Sequence, residues 1–153
     1  EDQLEKICVF LNKEKEITIE SIQQVSSELK QFNIFDLQNV IGVKDKSKSL
    51  TVAYNLVDNG AEPTFIIAML TRYFTGLAKI PELKSKNVPD AEAARIVGTH
   101  PYYYRNYVKA RTLFSDQKLV EVFRALLKAD LSVKTTTTDD KTIITLLIAE
   151  ILQ

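Results

Sequence analysis

The chain has 153 residues, of which 45% are hydrophobic and 26% are charged, and its formal net charge is zero. This composition is too apolar for a disordered chain. The charge balance gives no global attraction to nucleic acid or to an acidic membrane surface. Because Cys8 is the single cysteine, no internal disulfide can form, which fits a reducing compartment, and we expect the cytoplasm. No apolar run is long enough to cross a membrane. The chain begins at Glu1 and not at a Met, so we expect a piece of a longer protein.

Residues 1–30 predict two amphipathic helices, because their apolar residues recur at helical spacing. Cys8 lies in the first apolar stripe, where a buried small side chain is a better interpretation than a reactive thiol. Two further helices are predicted before residue 60. The first contains Phe35 and is stopped by Gly42. The second covers residues 46–59 and is ended by Gly60. Its predicted inward face consists of Leu50, Ala53, Tyr54 and Val57.

A helix over residues 62–80 is predicted to be the centre of the domain. It opens with Pro63, which suits the first helical turn, and it should close before Pro81, which cannot continue a helix. Its apolar residues lie nearly all round, which is typical of a helix buried inside a bundle. Gly76 costs the helix roughly 1 kcal/mol relative to Ala, and we expect the close approach of a neighbouring helix to compensate. The short connection to the preceding helix predicts an antiparallel hairpin.

Three helices are predicted in the remaining chain. A short helix over Asp90–Val97 is stopped by Gly98, and Pro101 opens the next helix. Ser115 should cap a long helix that reaches about Lys134. Asp139 or Asp140 should cap a last, strongly apolar helix. The long helix is predicted to turn these residues inward: Leu119, Val122, Phe123, Leu126, Leu127 and Leu131. The period is helical throughout, so the predicted fold class is all-α, a helical bundle.

The chain offers few groups for catalysis or metal binding. It has no glycine-rich phosphate loop, no zinc-ligand spacing and no nucleophile elbow. His100 precedes a proline at a helix entrance and has no evident partner, so a capping or turn role is the better interpretation than a catalytic base. Asp139 and Asp140 could form a metal pair, but negative charge at a helix start is the simpler explanation. We therefore predict no catalytic residue, no metal site and no cofactor, and a binding or structural element instead of an enzyme.

One segment has the outline of a helix-turn-helix. The helices over Asp90–Val97 and residues 101–111 flank a tight turn. The second helix carries Arg105, Lys109 and Arg111, and residues 84–118 hold seven basic and three acidic residues, a net charge of +4. These cations could contact DNA phosphates. The alternative is that two short helices meet as in any bundle and that the cations are a solvated face.

Several motifs, in order and spacing, resemble those of a known family. Phe35-Asp36-Leu37 opens the domain, and a leucine-rich helix ends at Gly60 followed by Glu62-Pro63. Ala94 to Gly98 is followed by His100-Pro101-Tyr102, and Leu126-Leu127 lies in a long penultimate helix. Together they resemble the C-terminal part of the delta subunit of bacterial DNA polymerase III, the clamp-loader subunit that opens the sliding clamp. The resemblance covers nearly the whole chain.

This resemblance implies two domains. Residues 1–30 would be the end of a helical lid domain of an ATPase-like module, and residues 31–153 would be the collar domain. In this family the collar joins the other clamp-loader subunits in a ring of five, is not itself catalytic, and belongs to DNA replication. The sliding clamp would be contacted only by an N-terminal region that this chain lacks. Direct DNA contact would be weak, and no membrane partner is implied.

The exposed aromatic residues of such a collar would be candidates for its subunit interface, because aromatic residues are enriched at protein interfaces. The candidates are Phe35, Tyr54, Tyr102, Tyr103 and Tyr104.

Overall fold

The structure, a computed structural model, describes residues 34–153. The helices predicted in residues 1–30, with Cys8, lie outside the described residues. Within the described part there are seven α-helices and no strand, which confirms the all-α fold class. The helices are α1 (residues 34–42), α2 (Lys46–Asp58), α3 (Pro63–Ser85), α4 (Asp90–Val97), α5 (Pro101–Leu113), α6 (Asp116–Thr135) and α7 (Asp140–Ile151). None of the helices in residues 34–153 combines the length and hydropathy that a bilayer span requires.

Helix α3 is the centre of the bundle, as predicted. It packs against α4, α5 and α6, and Pro63 occupies its first turn after an extended Glu62. Its buried residues lie on several sides of the helix, because it has neighbours on several sides. They are Pro63, Ile66, Ile67, Leu70, Tyr73, Phe74, Gly76, Leu77, Ile80 and Leu83.

The predicted end of α3 at Pro81 is wrong, because the helix runs through this proline to Ser85. The additional turn buries Leu83, and this packing offsets the backbone hydrogen bond that a proline cannot donate. The helix is terminated by Asn87, which lies two residues after Ser85 and has a left-handed φ of 52°. The Asn87 and Val88 amides donate to the carbonyls of Lys84 and Leu83 at 3.1 and 3.0 Å. This is the Schellman pattern of helix ends, and asparagine tolerates the conformation it needs.

Two glycines mark places where helices approach closely. A Cβ on Gly76 would lie 2.9 Å from the Val97 carbonyl oxygen of α4, so the predicted close approach is confirmed. A Cβ on Gly42 would collide with the Tyr73 hydroxyl. The prediction that Gly42 stops α1 is wrong, because Gly42 lies inside the last turn of the helix. The left-handed residue that ends α1 is Lys44, with a φ of 60°. Gly42 therefore serves packing and not helix termination.

Helix α2 packs against α7, the last helix, and not alongside its chain neighbour α3, so the predicted hairpin is wrong. Its innermost residues are Ser49, Ala53 and Leu56, a face rotated from the predicted one. The Ser49 hydroxyl can be buried because it donates to the Asp45 carbonyl at 2.6 Å. Gly60 ends the segment with a φ of 88°, as predicted.

Helices α6 and α7 form the second half of the bundle. Helix α6 packs against both α3 and α7. The predicted caps are confirmed: the Ser115 side chain accepts from the Lys118 amide at 3.1 Å, and that of Asp139 accepts from the Thr142 amide at 3.3 Å. The buried residues of α7 are Ile143, Ile144, Leu147, Ile148 and Ile151.

Candidate protein-interaction surfaces

The outward side of α6 carries an apolar stripe, here called the α6 stripe, formed by Val120, Leu127 and Leu131 with Arg124 among them. The spacing of four, three and four residues puts all four on one face of the helix. The three apolar side chains are 49%, 61% and 52% exposed. This stripe is therefore an apolar surface without a partner among the described residues.

The inward prediction for Leu127 and Leu131 is wrong. The side of α6 that meets α3 and α7 is formed by Leu119, Val122, Ala125, Leu126 and Ala129. Ala125 and Ala129 are small, so they let neighbouring helices approach, and the helix turns that side inward. Leu126 and Leu127 are adjacent and belong to two different faces of the helix. The spacing of the apolar residues alone does not show which of these faces is buried. The small residues Ala125 and Ala129, which lie away from the face of Arg124, were the signal that could have identified the inward face.

Helix α7 contributes one exposed apolar residue near this stripe. The Lys128 ammonium of α6 pairs with the Glu150 carboxylate of α7 at 3.1 Å. The exposed Leu146 lies one helical turn from Glu150 and so on the same side of α7. Leu146 is therefore an exposed apolar residue on the side of α7 that carries Glu150.

Three of the five aromatic interface candidates are exposed and two are not. Tyr102, 79% exposed, and Tyr103 contact each other edge to face at the start of α5, with ring centres 5.0 Å apart. Phe35 is exposed on α1. Tyr104 is only 4% exposed, so the expectation of a partly exposed ring is wrong there. Tyr54 is half-buried and contacts α7.

Tyr54 joins two helices of this domain. Its hydroxyl oxygen accepts a hydrogen bond from the Thr145 hydroxyl of α7 at 3.0 Å. The Lys141 ammonium lies 5.2 Å from the centre of its ring and 2.9 Å from the Asp58 carboxylate. Half-buried and engaged in this way, Tyr54 stabilises the contact of α2 with α7.

A shallow depression lies between α1 and α5. Asn39 and Val43 form its α1 side, and Lys109 and Leu113 form part of its α5 side. Its floor includes Tyr73, whose pKa is raised well above its usual range by burial and then by the neighbouring Tyr107. This depression combines apolar and polar side chains.

The three cations of the helix-turn-helix hypothesis do not act together. Arg105 and Lys109 are exposed on α5. The Arg111 guanidinium is turned inward, where it donates to the Phe114 carbonyl and pairs with the Asp116 carboxylate. It therefore stabilises the connection between α5 and α6, and the interpretation of Arg111 as a phosphate contact is wrong.

The other polar candidates have structural roles. The His100 Nδ1 accepts from the Tyr102 amide at 3.1 Å, which confirms a capping residue. Asp139 caps α7, as described above. In residues 34–153 there is no group of three His, Cys, Asp or Glu side chains that could hold a metal ion.

Comparison with known proteins identifies the family. The family model of the DNA polymerase III delta subunit, C-terminal domain, matches residues 31–151. The DNA polymerase III subunit delta of Bacillus subtilis (strain 168) is 23% identical over 151 residues, which cover 99% of this chain and 44% of that protein. The probable DNA polymerase III subunit delta of Aquifex aeolicus (strain VF5) is 24% identical over 115 residues, 72% of this chain and 33% of that protein.

A solved structure has the same fold. The Bacillus subtilis DNA clamp loader delta protein (YqeN) matches with a TM-score of 0.68 at 23% identity, over 99% of this chain and 44% of that one. The chain thus spans less than half the length of these relatives. None of these matches supports the helix-turn-helix alternative. The helical fold and the match over residues 31–151 lead to one conclusion: the chain belongs to the family of the C-terminal domain of the DNA polymerase III delta subunit.

Proposed function

We propose that this domain is a non-catalytic assembly module, the collar domain that holds a delta subunit in a clamp loader during DNA replication. The observation that carries the proposal is the α6 stripe, an exposed apolar face on a helix whose other side is fully used by the core. Apolar surface of this kind on a folded domain marks an interaction site.

The composition of the stripe fits a protein partner. Burial of apolar surface contributes roughly 25 cal/mol per Å², and Val120, Leu127 and Leu131 each have about half of their surface left to bury. Arg124, on the same face, belongs to a residue type that is enriched at interface centres. We therefore propose that another clamp-loader subunit packs on α6 here.

The division of the chain remains part of the proposal. Residues 31–153 would form the collar, and residues 1–30 would be the end of a lid domain. The family match begins at residue 31, which supports this boundary. The relatives are more than twice as long as the chain, so contact with the sliding clamp is proposed for a region outside it.

The proposal is tested with the full-length subunit and the other clamp-loader subunits from the same source. Replacing Leu127→Glu and Leu131→Glu together puts two charges on the α6 stripe, and we expect the hetero-complex to be lost. Complex formation at micromolar concentration is measured by size-exclusion chromatography with light scattering.

The matched control is the pair Val43→Glu and Leu113→Glu, which places the same charges at the depression between α1 and α5. We expect this pair to assemble normally. If the α6 pair assembles like the unmodified protein, the α6 stripe is not the interface. If the unmodified subunit fails to join the complex, the collar function itself is wrong.

A further inference from the structure

A cleft between α3 and α4, here called the α3–α4 cleft, gathers three cations. Arg72 and Lys79 come from α3 and Arg95 comes from α4. The cleft is open to solvent, has a volume of about 440 Å³, and has no carboxylate among its lining residues. We propose that the α3–α4 cleft binds phosphate groups, either of a nucleic-acid backbone or of a small phosphate compound.

The cations of the cleft have no acidic partner in the described part of the chain. Some of the other basic residues do, since Lys86, Lys128, Lys134 and Lys141 each pair with a carboxylate. Within residues 34–153, none of Arg72, Lys79 and Arg95 forms such a pair. Like charges that face one cleft repel each other. A bound anion would relieve this repulsion, whereas a neutral ligand would not.

The Arg72 guanidinium lies beside Gly98, the glycine that follows α4. The Arg72 Nε and Nη2 atoms lie 3.4 Å from the position that a Cβ on Gly98 would occupy. Gly98 has a left-handed φ of 90°, which a side chain would strain. A glycine at the end of α4 therefore leaves the space in which the guanidinium lies. A planar guanidinium can form two parallel hydrogen bonds with a phosphate.

The hydroxyl groups of the threonines that line the cleft are not free to donate hydrogen bonds to a phosphate. Thr71 donates to the Ile67 carbonyl at 2.8 Å and Thr75 donates to the Thr71 carbonyl at 2.7 Å. Their protons are thus engaged within α3. The donors that face the cleft belong to the three cations, a set that selects for negative charge.

This site differs from that of the helix-turn-helix hypothesis. That hypothesis relied on Arg105, Lys109 and Arg111 of α5, which line no part of the α3–α4 cleft. The inference also does not depend on assembly through the α6 stripe. The two sites can therefore be tested on the same protein with separate variants.

The test uses the full-length protein, fluorescein-labelled single-stranded and duplex DNA, and inorganic pyrophosphate. DNA affinity is measured by fluorescence anisotropy at several salt concentrations, and pyrophosphate affinity is measured by calorimetry. For the double variant Arg72→Gln, Arg95→Gln we expect at least a tenfold loss of affinity for the ligand that binds. If this ligand is DNA, the slope of log affinity against log salt should fall by about two.

The matched control, Arg105→Gln with Lys109→Gln, removes the same charge from α5 and should retain the affinity. Loss of DNA binding alone would assign the cleft to a nucleic-acid backbone, and loss of pyrophosphate binding alone would assign it to a small phosphate compound. Equal losses in both variants, unchanged affinity in the cleft variant, or no binding of either ligand by the unmodified protein would overturn the proposal. Thermal unfolding checks that both double variants fold. If the variant Arg72→Gln, Arg95→Gln does not fold, the single variant Lys79→Gln tests the cleft instead.

Discussion

Two tyrosines meet edge to face in the interior, and their burial affects how the domain responds to alkaline pH. The rings of Tyr73 and Tyr107 have centres 4.9 Å apart. Burial is the main cause that raises the pKa of each phenol, and for Tyr73 the pKa is far above the usual value. The folded state therefore favours the protonated phenols over the phenolates.

We predict that the free energy of unfolding decreases above pH 10. In the unfolded chain a tyrosine loses its proton near pH 10, whereas Tyr73 keeps it in the folded state. Above this pH the folded state binds more protons, so stability falls as pH rises, by up to about 1.4 kcal/mol per pH unit for each such tyrosine. The stabilisation is fully present below pH 10. Urea unfolding at a series of pH values measures it.

The variant Tyr73→Phe isolates this contribution because the ring stays and the ionisable hydroxyl is removed. Its stability should fall less steeply between pH 10 and 11.5 than that of the unmodified protein. Tyr102→Phe is the control, since this hydroxyl lies at the surface and its loss should leave the slope unchanged. Identical slopes for Tyr73→Phe and the unmodified protein would contradict the assignment.

At the scale of elements, α3 is longer than its prolines suggest. Pro81 lies inside the helix and cannot donate to the Leu77 carbonyl. We predict that Pro81→Ala raises the free energy of unfolding by about 1–3 kcal/mol. The restored hydrogen bond and higher helix propensity should outweigh the added freedom of the unfolded chain. Urea unfolding measures the change.

The control for this prediction is Pro101→Ala. Pro101 occupies the first turn of α5, where a proline is well suited and no hydrogen bond is missing. This exchange should give no gain in stability. A loss of stability in Pro81→Ala would mean that the helix needs the proline at this position.

Helix α6 shows where periodicity is ambiguous. Apolar residues lie on both its sides, and only its packing against α3 and α7 makes one side the core. Its cap, by contrast, was predictable, because the Ser115 side chain binds an amide three residues away. A side-chain cap depends on neighbours in the chain, whereas the direction of a face depends on neighbours in space.

At the scale of the whole molecule, α7 connects α2 to α6 and thereby closes the core. We predict that Ile144→Ala, at a site with no exposed surface, lowers the free energy of unfolding by about 2–5 kcal/mol through the cavity it leaves. Leu146→Ala, on the outer side of the same helix, should change it by less than about 0.5 kcal/mol. Chemical denaturation of both variants measures the difference. Equal losses would mean that α7 does not have the described orientation.

The exposure of the candidate interface residues could be predicted only in part. Phe35, Tyr102 and Tyr103 are exposed as expected, whereas Tyr104 is buried and Tyr54 is engaged by α7. Four tyrosines between residues 102 and 107 give no periodic signal that separates inner from outer rings. Arg111 looked like its neighbouring cations in sequence, and only the turn that follows α5 shows that it binds inward.

The sequence by itself determined the helical class, the central place of α3, the caps at His100, Ser115 and Asp139, and the motif order typical of the family. The caps rest on residues a few positions apart, whose contacts form wherever the helix lies, and the central place of α3 follows from apolar residues nearly all round it. Only the tertiary structure decided that α2 packs on α7, that Leu127 and Leu131 face outward, and that Arg72 and Arg95 line one cleft. These outcomes depend on groups far apart in the chain, because burial favours whichever face meets a complementary neighbour.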